Sequence, residues 1–307
     1  MKYIVGSVLL IGISHAYIYS IILPVSFDSS MQTKKYRWIV DRDTTEKEVG
    51  FSGTYMLDFF RSLYEKQNFI TVKPKQTEPI PHIIHQIWIG DSVPVEFSAF
   101  QQSWQTMHPT WQYRLWTQYD IPNLPLVNRI LIEQAQNPAE KSDLLRYEIL
   151  NLYGGVYVDM DFECLQPLDV LNDKYDFYIG IQPLDCGLVQ LGSGLIGAIP
   201  GHPIIKKCID SLELSYAKSQ ANTGITVKSG PVFLTKIFIQ YADCPNLRNV
   251  ALPAHYFYPL TCRQPSCDPK FWLSQGSFGI HHWAKSWNKP EYRRPQFRAI
   301  KSWGTLY

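Results

Sequence analysis

The chain has 307 residues, 45% of them hydrophobic and 18% charged, which is enough apolar material for one sizeable core or one large domain with an appendage. A formal net charge of only +2 excludes a whole-chain polyelectrolyte partner, so nucleic acid is not expected to bind. Aromatic residues make up 14%, including nine Trp and nineteen Tyr; such rings fill cores and also serve as platforms for the apolar faces of sugars.

The chain begins with a run at residues 4–25 that holds no formally charged side chain, after Lys2. At 1.5 Å per residue such a run is long enough to cross a bilayer core of roughly 30 Å. It is read as a signal-anchor. A cleaved signal peptide, with Ser14-His15-Ala16 as the small-x-small cleavage site, is the alternative. Residues 26–78 read as a stem. Its first half is polar and mixed in charge, and residues 55–69 form one amphipathic helix with Met56, Phe59, Phe60, Leu63 and Tyr64 on its apolar face. Glu78-Pro79-Ile80-Pro81 marks a boundary, because both prolines disfavour helix. The catalytic domain is therefore expected over residues 79–307.

From there the pattern alternates. Residues 82–89 are a short apolar strand, 94–107 a helix, 111–116 a second strand and 128–136 a second helical piece. The clearest helix covers 139–153, where Leu144, Leu145, Ile149, Leu150 and Leu152 recur at helical spacing and Gly154-Gly155 stops it. A strand over 156–160 follows. This order predicts an α/β fold with a mainly parallel sheet, and ligands at the carboxyl ends of its strands.

The last strand runs straight into Asp159 and Asp161. Two carboxylates at the carboxyl end of a buried strand, where the chain turns, can face one cleft. Their hard oxygens suit Mg²⁺ or Mn²⁺, which can bridge a diphosphate and neutralise it as a leaving group. Asp143 and Arg146 stand at i, i+3 on the preceding helix. They are either an ordinary ion pair or a carboxylate for sugar hydroxyls beside a guanidinium that steadies the donor.

The six cysteines, at 164, 186, 208, 244, 262 and 267, form no CxxC pair, which disfavours a structural zinc site. Cys262 and Cys267 bracket a four-residue loop; a small disulfide and free thiols both fit them.

Three ordered blocks carry a resemblance: Ile83-Ile84-His85-Gln86-Ile87-Trp88-Ile89-Gly90, then Lys141-Ser142-Asp143-Leu144-Leu145-Arg146-Tyr147, then Tyr153-Gly154-Gly155-Val156-Tyr157-Val158-Asp159-Met160-Asp161. Across residues 80–290 the chain resembles glycosyltransferase family 32. That group includes the yeast-type initiating α-1,6-mannosyltransferases and mannosyl-inositol-phosphoceramide synthases, and its core is similar to the clostridial glucosylating toxins. The resemblance implies a GT-A fold, a GDP- or UDP-hexose donor, a divalent cation (Mn²⁺ or Mg²⁺) and retention of anomeric configuration. It implies Asp161 as metal ligand and Asp159 as a contact to ribose or sugar that supports the metal. Asp143 and Arg146 would hold the transferred sugar, and Trp88 would lie against the base. His281-His282-Trp283-Ala284-Lys285-Ser286-Trp287 resembles the family's terminal block, with His281 as third metal ligand and His282 as second choice. Ser229-Gly230-Pro231 and the glycines at 192, 194, 197 and 201 also look familial, although tight turns explain them equally. Many members carry Asn where this chain reads Gln190-Leu191-Gly192-Ser193, which leaves sugar contacts there unassigned.

The expected function is a retaining, metal-dependent hexosyl transfer, mannose favoured, to a glycan, glycolipid or protein. Membrane attachment through the N-terminal segment would place the enzyme on a Golgi-type secretory route or at a bacterial envelope. A silent carbohydrate-binding protein is one alternative. A metal-dependent phosphotransferase is disfavoured, because its acidic motif would usually follow the first strand.

Overall fold

The computed structural model describes residues 26–76, 78–261 and 269–284. The apolar run at 4–25, the Cys262–Cys267 pairing and the Ser286-Trp287 end of the terminal block lie outside the described residues. Among those described, no helix is long and apolar enough to cross a membrane.

In chain order the elements are α1 (Phe27–Met31), α2 (Arg37–Val40), α3 (Asp43–Val49), α4 (Gly53–Lys66), β1 (Ile83–Trp88), α5 (Ser98–Met107), β2 (Gln112–Thr117), α6 (Arg129–Gln134), α7 (Pro138–Tyr153), β3 (Gly155–Val158), β4 (Phe162–Cys164) and α8 (Asp169–Asn172). Then come β5 (Phe177–Ile181), β6 (Leu191–Ala198), α9 (Pro203–Lys218), α10 (Ile225–Lys228), α11 (Pro231–Tyr241), β7 (Asn249–Leu252), α12 (Pro269–Ser274) and β8 (Gly279–His281). Six strands form one sheet in the order β2-β1-β3-β6-β5-β7, and β4 pairs with β8 in a second, two-stranded sheet.

Strands β1, β2 and β3 run parallel; β6 is antiparallel to both β3 and β5; β7 is parallel to β5. Five strands therefore share one direction and β6 alone is reversed. The mainly parallel α/β sheet is what the alternating pattern predicted, and it agrees with the GT-A-type fold that the resemblance implied. The strand β6 was not read as one: the glycines at 192, 194 and 197 lie inside a fully buried strand rather than in tight turns.

The helices form for local reasons. Asn137 caps α7 by accepting from the Ala139 N–H at 2.8 Å, Pro138 occupies its first turn, and Gly154 ends it at φ +61°. Every residue from Asp143 to Leu150 is buried, so α7 is a core helix wedged between the sheet and α9 rather than a surface amphipath. Ser52 caps α4, which buries Met56, Phe60, Leu63 and Tyr64 against β7 and α11.

The segment read as a stem folds onto this body. Phe27 and Met31 of α1, Val40 of α2 and Val49 of α3 are all buried in the same core as the sheet. Ser30 Oγ accepts from the His255 N–H at 3.1 Å, which fastens α1 just beyond the carboxyl end of β7. Each such apolar side chain contributes about 1.5–3 kcal/mol on burial, so these short helices are held by tertiary contact and not by propensity.

Candidate active site

Strand β3 ends two residues earlier than the sequence suggests, at Val158, and the chain turns at once: the Phe162 N–H bonds the Asp159 carbonyl at 3.1 Å. That turn is why two carboxylates at i and i+2 face the same side. Strand β4 then pairs with β8, setting Phe162 opposite His281. A histidine 120 residues downstream is thereby delivered beside the acidic turn. His281 Nε2 lies 3.1 Å from Asp161 Oδ1 and 3.9 Å from Asp159 Oδ2. Ligand atoms of Asp159, Asp161 and His281 all fall within 4.8 Å of one another.

Asp161 is the anchored member. The Ala284 N–H donates to its Oδ2 at 2.6 Å, and the His282 N–H donates to its backbone carbonyl at 2.9 Å. Burial pushes its carboxyl up, but the His281 charge and hydrogen bond, with the Ala284 amide, prevail and hold it below the ordinary carboxylate value. Burial likewise pushes the His281 imidazolium down, and Asp161 and Asp159 outweigh it, so that pKa is raised. His281 Nδ1 is buried with no hydrogen-bond partner among the described residues. Two carboxylate oxygens and one imidazole nitrogen converging this closely are a donor set that fits a small divalent ion. Asp159 is the most open of the three, with its side chain 28% exposed, so a ligand reaches the cluster on its side.

Asp159 is held from behind. Tyr157, two residues earlier on the same strand face, donates its hydroxyl to Oδ1 at 2.6 Å. The Arg146 guanidinium stands 3.4 Å from that oxygen and 4.6 Å from the centre of the Tyr157 ring. Arg146 also meets Asp143 Oδ1 at 3.0 Å and donates to the Ser193 carbonyl at 2.8 Å. Asp143 and Arg146 are almost wholly buried, at 8% and 5% side-chain exposure, so they are not a surface ion pair. Burial lifts the Asp143 carboxyl to about 6, against the pull of Arg146.

Trp88 sits at the carboxyl end of β1, half-buried, in a small apolar cluster with Phe97, Phe100, Met160 and Ala284. It therefore flanks the acidic turn, and its indole N–H bonds the Asp91 carbonyl at 2.9 Å. His282 points elsewhere: its Nε2 meets Glu163 at 2.8 Å, and its ring stacks on Phe100 at 4.5 Å. Glu163 and Gln86, whose side-chain amide donates to the Asp159 carbonyl at 3.2 Å, were not singled out from the sequence. Tyr157 was quoted within a motif but given no role; its spacing of two from Asp159 on a strand was the available signal.

Gly194 on β6 accepts the Asp159 N–H at 2.8 Å, and a Cβ added there would stand 2.8 Å from Asp159 Oδ2. Gly194→Ala is expected to push that carboxylate out of the cluster, cutting turnover by at least tenfold while leaving far-ultraviolet circular dichroism unchanged. Wild-type turnover in this variant would show that the carboxylate position is not critical.

Comparison with known proteins adds the family. Residues 94–178 match the model described as glycosyltransferase sugar-binding region containing DXD motif. Inositol phosphoceramide mannosyltransferase 1 of Schizosaccharomyces pombe is 30% identical over 193 residues, covering 60% of this chain and 59% of that one. Mannosyl phosphorylinositol ceramide synthase SUR1 of Saccharomyces cerevisiae is 31% identical over 194 residues, covering 60% and 49%. The chain thus spans only about half to three-fifths of the length of these relatives. Among solved structures, PaToxG glycosyltransferase aligns with a TM-score of 0.46 at 16% identity, over 72% of this chain and 93% of that one. The family-model match at residues 94–178, a sugar-binding region containing the DXD motif, and the similarity to these mannosyltransferases agree with the resemblance to glycosyltransferase family 32.

Proposed function

We propose that the protein transfers a hexose, with retention of configuration, from a nucleotide sugar to a carbohydrate-bearing or lipid acceptor, using a divalent cation. The observation that carries this reading is the Asp159–Asp161–His281 cluster set against the buried Arg146–Asp143 pair. In this reading the three clustered side chains hold Mn²⁺ or Mg²⁺, which when bound neutralises charge on the departing nucleoside diphosphate. Asp143 and Arg146 fix the hydroxyls of the transferred sugar, Asp159 contacts ribose or sugar, and Trp88 lies along the base. Fixing the donor in this way supplies the orientation that lowers the barrier.

Retention proceeds by attack on the same face that the leaving group quits. The anomeric carbon–phosphate oxygen bond breaks, a bond to the acceptor oxygen forms, and the acceptor proton passes to the leaving phosphate. Mannose is the favoured sugar and an inositol phosphoceramide the favoured acceptor, because the names of the similar proteins above speak of a mannosyltransferase of inositol phosphoceramide and of a mannosyl phosphorylinositol ceramide synthase. A glycan or a protein side chain fits the same chemistry. The uncharged run at 4–25 would hold the enzyme at a membrane of the secretory route, directly ahead of the short helices that pack into the core of the sheet.

The test is a titration of the full-length chain with GDP- and UDP-hexoses, in Mn²⁺ or in EDTA, scoring binding and slow donor hydrolysis. One donor is expected to bind with Mn²⁺ and to be released by EDTA. A folded protein that binds free glycan but no donor would instead be a carbohydrate-binding protein without turnover.

A further inference from the structure

The chain leaves β8 through a backbone conformation that a bulky residue seldom adopts. Among the described residues three non-glycine positions have positive φ: Gln32, Asn246 and Trp283. Gln32 is the left-handed cap of α1, and Asn tolerates that region because its short amide bonds locally. Trp283, at φ +55°, belongs to neither case, and its Cβ opposes the conformation. Strain of this kind persists only where surrounding contacts hold it. Here the indole N–H of Trp283 donates to the Leu260 carbonyl at 3.0 Å. The ring lies 4.3 Å from that of His281 and 5.9 Å from that of Tyr258. Tyr258 and Leu260, 1% and 2% exposed, belong to the segment after β7, so a third stretch of chain anchors the end of β8.

What the left-handed residue does is visible in its two neighbours. The His282 N–H donates to the Asp161 carbonyl at 2.9 Å, and the Ala284 N–H donates to Asp161 Oδ2 at 2.6 Å. In an extended chain those two amides would stand about 6.6 Å apart along the strand and face different residues of the partner. With Trp283 left-handed, both converge on one residue, as N–H groups do in a backbone nest. Oδ2 is thereby fixed, and Oδ1 is left beside His281 Nε2 at 3.1 Å.

We propose that Trp283 is a positioning residue of the cation site: its left-handed backbone aims the Ala284 amide at Asp161, and its indole, latched to the Leu260 carbonyl, holds that backbone in place. It acts through Asp161 and His281 rather than on the cation. This rests on the cation reading above and adds to it a residue to which the terminal block gave no role.

Three full-length variants test it, each titrated with Mn²⁺ alone while free Mn²⁺ is read by electron paramagnetic resonance. Trp283→Phe keeps a ring and loses the indole N–H, and its Mn²⁺ affinity should fall about 3- to 10-fold, the range for one net hydrogen bond. Trp283→Ala loses the latch and resists positive φ, so only its left-handed fraction binds and affinity should fall about 5- to 30-fold. Trp283→Gly also loses the latch but takes positive φ freely, and should recover most of that loss. A side chain that serves stability alone predicts the reverse order, because glycine loses more freedom on folding than alanine. A glycine variant no tighter than the alanine one would overturn the assignment, and so would wild-type affinity in the phenylalanine variant. Should the small variants fail to fold, as judged by circular dichroism, the phenylalanine variant carries the test alone. A wild-type chain that binds no Mn²⁺ would overturn the cation reading, and this assignment with it.

Discussion

Replacing Arg146 with methionine is expected to abolish most turnover and to destabilise the fold by about 3–5 kcal/mol, the cost of stranding a buried charged partner. Arg146 is the hub of the site. Its Nη1 serves Asp143 at 3.0 Å and the Ser193 carbonyl at 2.8 Å, while Nη2 faces Asp159 at 3.4 Å. Methionine fills much of the same volume, so the loss is one of charge and hydrogen bonds rather than of packing. The Asp143 carboxylate, 8% exposed, would then be left with like charge from Asp159 and Glu140 and no opposing guanidinium. Turnover should fall by roughly 10²–10³, the scale of losing a preorganised charged donor. Lysine at 146 keeps the charge but cannot span three oxygens with one fork, and should recover stability in part and activity little. The double variant Arg146→Met with Asp143→Leu separates the two roles. A buried pair replaced by apolar residues is often neutral for stability, so this protein should melt near the wild type and still be inactive. Chemical denaturation and steady-state kinetics on the three variants are the measurements; a double variant that regains activity would show that the pair is structural only.

What was legible in the sequence was what short-range pattern can carry. Helix α7 announces itself by leucines at helical spacing and a Gly-Gly stop, and β3 by an apolar run leading into carboxylates. Because these lie next to one another in the chain, Asp143, Arg146, Asp159 and Asp161 could be gathered by eye. The early helices were not legible, because α1 to α3 are four to seven residues long. So short a helix shows too few turns for a period to appear, and isolated anchors such as Phe27, Met31 and Val40 look like scattered apolar residues in a polar stem. Strand β6 was hidden by its glycines, which signal turns in isolation but here make room for Tyr178 at position 197 and Tyr258 at position 192. The reversal of β6 between β3 and β5 is set by pairings between distant segments, on which local pattern is silent. For the same reason His281 was named through resemblance, while the pairing of Phe162 with His281 that delivers it became visible only in the sheet.

Asp161→Asn should remove cation binding at micromolar metal and lower turnover by roughly a thousandfold, the scale of several kcal/mol of charge stabilisation. A pH signature distinguishes a ligand set from an ordinary ion pair. Without a cation, His281 and Asp161 hold each other in the charged form: the histidine pKa is raised and the aspartate pKa lowered. The histidine contribution to stability is complete below its unfolded value of 6.5 and is lost as pH rises through its raised folded value. The aspartate contribution is present above 3.8 and is lost as pH falls through its lowered value. The cation-free protein is therefore best supported by this pair between those two unfolded values. A cation needs the imidazole neutral, so binding must displace the histidine proton, and affinity should rise with pH through the raised histidine value. Calorimetric titration of the wild type with Mn²⁺ from pH 5.5 to 8.5 should show affinity changing by up to about tenfold per pH unit on the acid side and levelling off above. In Asp161→Asn the main cause of the raised histidine pKa is gone, so the midpoint of whatever binding remains should move down toward 6.5. An affinity that is flat across the range, or a midpoint that stays put in the variant, would remove His281 from the ligand set and leave the two aspartates to bind the cation alone.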